Sequence, residues 1–135
     1  MAHVLVVDDQ ETNRVTLERI LRRESWEVSQ AADGQLALDQ VRENAPDVMV
    51  TDLKMPGLNG LELLKAVRAI APEVEVILMT AYGTVETAVD AMKEGAYDYV
   101  TKPLKRSEIV SSVRKALEKH HLVQENRALR AKLEE

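Results

Sequence analysis

Four short apolar runs of the chain each lead into residues that can do chemistry. Asp8 and Asp9 follow Val4-Leu5-Val6-Val7, and Asp52 follows Val48-Met49-Val50 and Thr51. Thr80 follows Met79, and Lys102 follows Val100-Thr101. Three carboxylates brought to one place repel each other, by roughly 1 to 4 kcal/mol per pair about 4 Å apart. A hard divalent cation with oxygen ligands relieves that repulsion, and Mg²⁺ characteristically uses one or two carboxylates, waters and phosphate oxygens. A lysine point charge suits a phosphoryl group, and a carboxylate can accept one as an aspartyl-phosphate. The set therefore reads as metal-assisted phosphoryl transfer onto Asp52, with positioning and charge neutralisation supplying the catalysis. Any one of these residues alone is an ordinary polar loop residue. Their joint position at the ends of apolar runs carries the functional reading.

The elements that must deliver them are legible as alternation. Val4–Val7, Trp26–Ala31, Val48–Val50, Val74–Met79 and Tyr97–Val100 read as strands. Helix-period segments over 11–24, from Leu36 to Val41, from Leu61 to about Ile70, over 84–94 and from Ser107 onward separate or follow them. Pro46, Pro56, Gly57 and Gly60 punctuate the loops, and Gly95 reads as the residue that ends the fourth helix. Continuous apolar strands alternating with helices imply a parallel sheet covered on both faces. In such a sheet, ligands bind beyond the carboxyl ends of the strands. That is the edge where the polar set falls.

Composition narrows the classes. The chain has 135 residues, which suggests about one domain, and a net charge of −5, which argues against direct nucleic-acid binding by this chain. It has no cysteine, so disulfides, thiol nucleophiles and Cys-ligated zinc are excluded. With no Phe, one Trp and three Tyr, its core must be aliphatic. No apolar run approaches the ~18 residues of a membrane span. Met1-Ala2-His3 leads directly into a strand with no leader-like segment, so a cytoplasmic location is expected.

Four motifs resemble the receiver domain of bacterial two-component response regulators. They are Val4-Leu5-Val6-Val7-Asp8-Asp9, Thr51-Asp52-Leu53-Lys54-Met55-Pro56-Gly57-Leu58-Asn59-Gly60, Met79-Thr80-Ala81-Tyr82-Gly83 and Tyr99-Val100-Thr101-Lys102-Pro103. The resemblance covers about residues 3–119. It implies a flavodoxin-like, doubly wound α/β fold with five parallel strands in the order 2-1-3-4-5. It implies that Asp52 is the phosphoacceptor, and that Asp8, Asp9, Asp52 and the backbone carbonyl of Lys54 hold Mg²⁺. Thr80 and Lys102 would bind phosphoryl oxygens, Tyr99 would be the switch aromatic, and Lys102–Pro103 would be a cis peptide. The phosphoryl donor would be a phosphohistidine of a sensor histidine kinase.

Lys54 and Tyr82 flank the path of an attacking water, and neither readily orients it, so slow autodephosphorylation is expected. Gln10 stands where the family often has Glu, with only a modest effect expected. Haloacid-dehalogenase-type phosphatases also use Asp and Mg²⁺, but they need a second Asp two residues after the nucleophile. Here that position is Lys54, and after Asp8 it is Gln10. No phosphate-cradling glycine motif is present. His120-His121 is adjacent, which is not metal-ligand spacing on a helix, so both read as solvated.

The fifth helix is longer than a receiver needs. Leu122, Asn126, Leu129 and Leu133 are spaced as heptad positions d, a, d, a, and Asn at a favours a parallel dimer. Glu125 at g and Arg130 at e have the spacing of an interchain pair. Residues 1–119 thus read as a receiver, and 120–135 as the start of a coiled-coil linker through which the chain forms a homodimer. The segment Val85 to Tyr99 and the helical linker resemble regulators of the NtrC class. That implies sigma-54-activating AAA+ and DNA-binding output domains in a longer protein. A stand-alone phosphorelay receiver, a Mg²⁺-dependent aspartyl-phosphate phosphohydrolase, and a coil whose phosphorylation is vestigial are the alternatives.

Overall fold

The computed structural model describes residues 1–81 and 85–134. The elements are β1 (His3–Val7), α1 (Glu11–Arg22), β2 (Glu27–Ala31), α2 (Gly34–Glu43), β3 (Val48–Asp52), α3 (Gly60–Ile70), β4 (Glu75–Thr80), α4 (Val85–Lys93), β5 (Asp98–Thr101) and α5 (Arg106–Glu134). All strand pairs are parallel, and the order is β2-β1-β3-β4-β5. This is the doubly wound order that the family resemblance implied. The strand runs are apolar throughout because both faces are covered. Leu5, Val7, Met49, Val76 and Leu78 face α2, α3 and α4. Val4, Val6, Val48, Val50, Ile77 and Met79 face α1 and α5. Period-two alternation therefore feeds two cores from one strand.

Local signals start the helices where the loops need them to start. The Asp33 side chain accepts from the Leu36 amide at 2.8 Å. Asn59 and Glu62 form a reciprocal capping box at the start of α3, a device worth about 1 kcal/mol. Gly95 has φ +98°, a left-handed conformation that suits glycine after α4.

Several boundaries differ from expectation by one or two residues. α1 stops at Arg22, and β2 begins at Glu27 rather than Trp26, because Ser25 turns the chain at φ +66°. β5 begins at Asp98, and Tyr97 packs at the edge of the core shared with α5. Thr84, expected at the start of the fourth helix, lies outside the described residues.

His120 departs from its expected solvated role. Its Nε2 lies 3.0 Å from Asp47 Oδ1, and its Nδ1 lies 2.8 Å from the Glu73 carbonyl. Asp47 Oδ2 also accepts from the His3 amide at 2.8 Å. The preceding residue, Lys119, places its Nζ 3.3 Å from buried Glu75 at the start of β4. These contacts fasten α5 to the amino-terminal edge of the sheet, just before it runs on alone. Adjacency in sequence hid them because their partners are more than 40 positions away. His121 is exposed.

Candidate functional site

The strand register brings the polar residues to one edge. Val7 pairs with Thr51, Asp52 with Met79, and Thr80 with Thr101, so β1, β3, β4 and β5 end side by side. The chain reverses its winding direction between β1 and β3, and a crevice opens at that point. Asp8 and Asp9 enter it from β1, and Asp52 from β3. Main-chain bonds hold the rim: Leu53 N donates to Met79 O at 2.8 Å, and Lys102 N to Thr80 O at 2.7 Å.

Gly60 presses the first turn of α3 against the end of β3. A Cβ there would lie 2.4 Å from the Asp52 carbonyl oxygen and 2.8 Å from Leu53 Cα. No side chain fits, so glycine is a packing requirement at this position.

Asp8, Asp9 and Asp52 each offer a carboxylate oxygen, and these oxygens lie within 4.8 Å of one another. Asp8 is buried, Asp52 is 9% exposed and Asp9 is exposed. Asp8 Oδ1 accepts from the Gln10 amide at 2.9 Å. Lys102 Nζ stands between two of the acids, 3.4 Å from Asp8 Oδ2 and 3.4 Å from Asp52 Oδ2. Burial raises the Asp52 pKa above its ordinary value; Lys102 opposes the rise, and Asp8 and then Asp9 add to it. Charge on Asp52 is thus only partly compensated by protein groups.

The donor set suits a small hard cation. Ligands of a Mg²⁺ ion at about 2.0–2.1 Å sit about 3 to 4 Å apart across an octahedron. Oxygens within 4.8 Å need little adjustment to reach that spacing.

Thr80 is buried at the end of β4, beside the strand that carries Asp52. Tyr99 lies on β5, half-buried against the core, and its hydroxyl is 2.9 Å from Thr87 Oγ1 on α4. The Lys102–Pro103 peptide is cis. Lys54 lies exposed in the loop after Asp52. Tyr82, the other residue expected to flank an attacking water, lies outside the described residues. Leu122, Leu129 and Leu133 are 63%, 57% and 87% exposed, and Asn126 is exposed with them. The core-facing stripe of the same helix, Ile109, Val113 and Ala116, is fully buried. The apolar face of α5 therefore changes side near residue 120.

Two features escaped sequence reasoning. Arg14 Nη1 donates to the Asp8 carbonyl at 2.8 Å. Its signal was its place in the first turn of α1, where side chains point back toward the preceding loop. Asp98 accepts from Ser112 Oγ at 2.6 Å, which ties β5 to α5. Among the described residues no helix is long and apolar enough to cross a membrane.

Comparison with known proteins agrees with the geometry. The chain is 40% identical over 120 residues to the transcriptional regulatory protein ZraR of Escherichia coli K12, covering 89% of this chain and 27% of that protein. It therefore spans about a quarter of that relative's length. It is 38% identical over 114 residues to sporulation initiation phosphotransferase F of Bacillus subtilis, covering 84% of this chain and 92% of that protein. Its fold superposes on NtrX from Brucella abortus with a TM-score of 0.88 and 36% identity, covering 96% of this chain and 30% of that one. The response regulator receiver domain model matches residues 4–114. By sequence, fold and site together, the chain belongs to the response regulator receiver domain family, whose function is a phosphorylation-dependent signalling switch.

Proposed function

We propose that Asp52 accepts a phosphoryl group from a phosphohistidine of a sensor kinase, and that the chain relays the event through its β4–α4–β5–α5 side. The observation that carries this reading is the meeting of Asp8, Asp9, Asp52 and Lys102 at one strand edge. An Asp52 carboxylate oxygen attacks phosphorus, forming an O–P bond. The P–N bond breaks, and its electron pair leaves on the donor imidazole. Asp8, Asp9, Asp52 and the Lys54 carbonyl would hold Mg²⁺, which neutralises charge on the transferring group.

Lys102 already spans Asp8 and Asp52, so a phosphoryl group on Asp52 meets a positioned cation. Thr80 supplies a hydroxyl from the neighbouring strand. Phosphorylation adds charge and three strong acceptor oxygens at this edge. Thr80 moves toward them, and Tyr99 moves inward from its Thr87 partner, which changes the face of α4, β5 and α5. The acceptance and slow release of the phosphoryl group are self-catalysed, and the product is a switch state rather than a turned-over substrate.

Residues 1–119 form the switch, and 120–135 form a coiled-coil segment that pairs two chains through Leu122, Asn126, Leu129 and Leu133. The exposure of the three leucines along one helix supports this pairing. The likeness to ZraR and NtrX supports placement in a longer cytoplasmic transcriptional regulator of the NtrC, sigma-54-dependent class. The coverage of 92% of sporulation initiation phosphotransferase F supports the second reading, a stand-alone phosphorelay receiver. Incubation with a phosphorylated histidine kinase tests the proposal. Label should transfer to the wild-type chain in Mg²⁺ and not to Asp52→Asn, and equal transfer to both would overturn it.

A further inference from the structure

The Asp8–Asp9 peptide is held from outside the acidic cluster. Arg14 Nη1 donates to the Asp8 carbonyl at 2.8 Å, and Arg14 Nε donates to Gln30 Oε1 at 3.2 Å. Gln30 Nε2 donates to Glu18 Oε2 at 2.7 Å, and the Gln30 carbonyl accepts from Gln40 Nε2 at 2.9 Å. The bonds run from α2 through β2, an edge strand, to α1, and end on the peptide between the two acids. The partners fix the direction of the Gln30 amide, since its oxygen meets a donor and its nitrogen meets a carboxylate.

The two acids differ in what positions them. The Asp8 carboxylate is buried and bonded directly by the Gln10 amide and Lys102. Asp9 is exposed, so no packing fixes its side chain and its backbone alone sets where that side chain starts. The plane of the Asp8–Asp9 peptide sets that starting point, and Arg14 holds its oxygen.

We infer that Arg14 is a positioning residue for metal binding: its guanidinium, braced by Gln30, fixes the Asp8–Asp9 peptide and so the oxygen that Asp9 offers to the cation. This rests on the reading of the acidic cluster as a Mg²⁺ site. The fork matters because Nη1 and Nε point at two acceptors at once. A lysine has the charge but lacks that planar pair of donors. Groups that orient metal ligands in this way typically change metal affinity about 10- to 100-fold when removed.

Titration with MgCl₂ alone, followed by calorimetry with no phosphodonor present, reads this directly. Arg14→Ala and Arg14→Lys should each weaken Mg²⁺ binding about tenfold. Gln30→Ala, which leaves the guanidinium in place and removes one bond, should weaken it about two- to fivefold. Phosphorylation by a small phosphodonor should then need more Mg²⁺ for half-maximal rate, while the rate at saturating Mg²⁺ stays within about twofold of wild type. A general packing role would instead lower that maximal rate or the melting temperature and leave the half-saturation point unmoved. Wild-type Mg²⁺ affinity in a folded Arg14→Ala protein, or full recovery in Arg14→Lys, would overturn the inference. Asp9→Asn separates the two ideas. If it binds MgCl₂ as tightly as wild type, the metal reading itself has failed, whatever Arg14 does.

Discussion

Replacing Asp52 with asparagine should stabilise the protein when no Mg²⁺ is present. The substitution keeps the shape and removes one of three converging charges. It abolishes two repulsions, with Asp8 and Asp9, acting across no more than 4.8 Å. Each is worth at least about 0.9 to 3.5 kcal/mol as the effective dielectric runs from about 80 to about 20. It also abolishes one attraction, to Lys102 Nζ at 3.4 Å, worth about 1.2 to 4.9 kcal/mol over the same range. Lys102, which also hydrogen-bonds the carboxylate, offsets both repulsions, and the burial of Asp52 tips the balance to asparagine. For a domain of this size each 1 kcal/mol so gained raises Tm by about 3 to 4 °C.

The pH dependence has a definite sign. The folded-state pKa of Asp52 is raised by burial, with Lys102 opposing and Asp8 and Asp9 adding. A raised carboxyl pKa means that the charged form is disfavoured by folding. The cost is fully present above the folded pKa and fades as pH falls through it toward the unfolded value. The gap between the two proteins should therefore narrow on acidification from pH 7. Saturating Mg²⁺ should reverse their order, because a ligand at a hundred times its Kd adds about 2.7 kcal/mol to the protein that binds it. Thermal melts of both proteins, across pH and with and without MgCl₂, make the comparison. An Asp52→Asn protein that melts below wild type at pH 7 without Mg²⁺ would show instead that charge on Asp52 stabilises the fold.

Three further outcomes follow from the contacts. Gly60→Ala places a methyl group 2.4 Å from the Asp52 carbonyl; it should cost about 1 to 3 kcal/mol in chemical denaturation and slow labelling of Asp52. His120→Ala removes the contacts to Asp47 and the Glu73 carbonyl; it should cost about 1 to 3 kcal/mol, and faster amide exchange near residue 120 should accompany the loss, whereas an unchanged melt would show the fastening to be incidental. Leu129→Ala removes a seam leucine that is 57% exposed in the single chain; sedimentation at tens of micromolar should show dimer for wild type and a shift toward monomer for the variant, and a wild-type monomer would end the coiled-coil reading.

The sheet was legible because its strands are buried on both faces and so are written as unbroken apolar runs, Val4–Val7 and Val74–Met79 among them. The site was legible for a related reason. Each polar residue sits directly after such a run, so strand direction alone places Asp8, Asp52, Thr80 and Lys102 at one edge. What was not legible depends on pairs far apart in the chain. Arg14 and Gln30 meet across 16 positions, Lys119 and Glu75 across 44, and His120 and Glu73 across 47. Nothing in the spacing around His120 marks it as different from His121, yet one is packed against Asp47 and the other is in solvent. The heptad spacing after Leu122 was visible, and the structure adds the reason it can matter. The apolar face there turns away from the domain's own core.

The proposed phosphoacceptor is Asp52. Treatment with a small phosphodonor, digestion, and mass spectrometry of the peptide holding Asp52 test it most directly. One added phosphoryl group should appear on that peptide, mapped to Asp52, present with Mg²⁺, absent in chelator and absent in Asp52→Asn. A modification mapped to another residue, or undiminished labelling of Asp52→Asn, would contradict it.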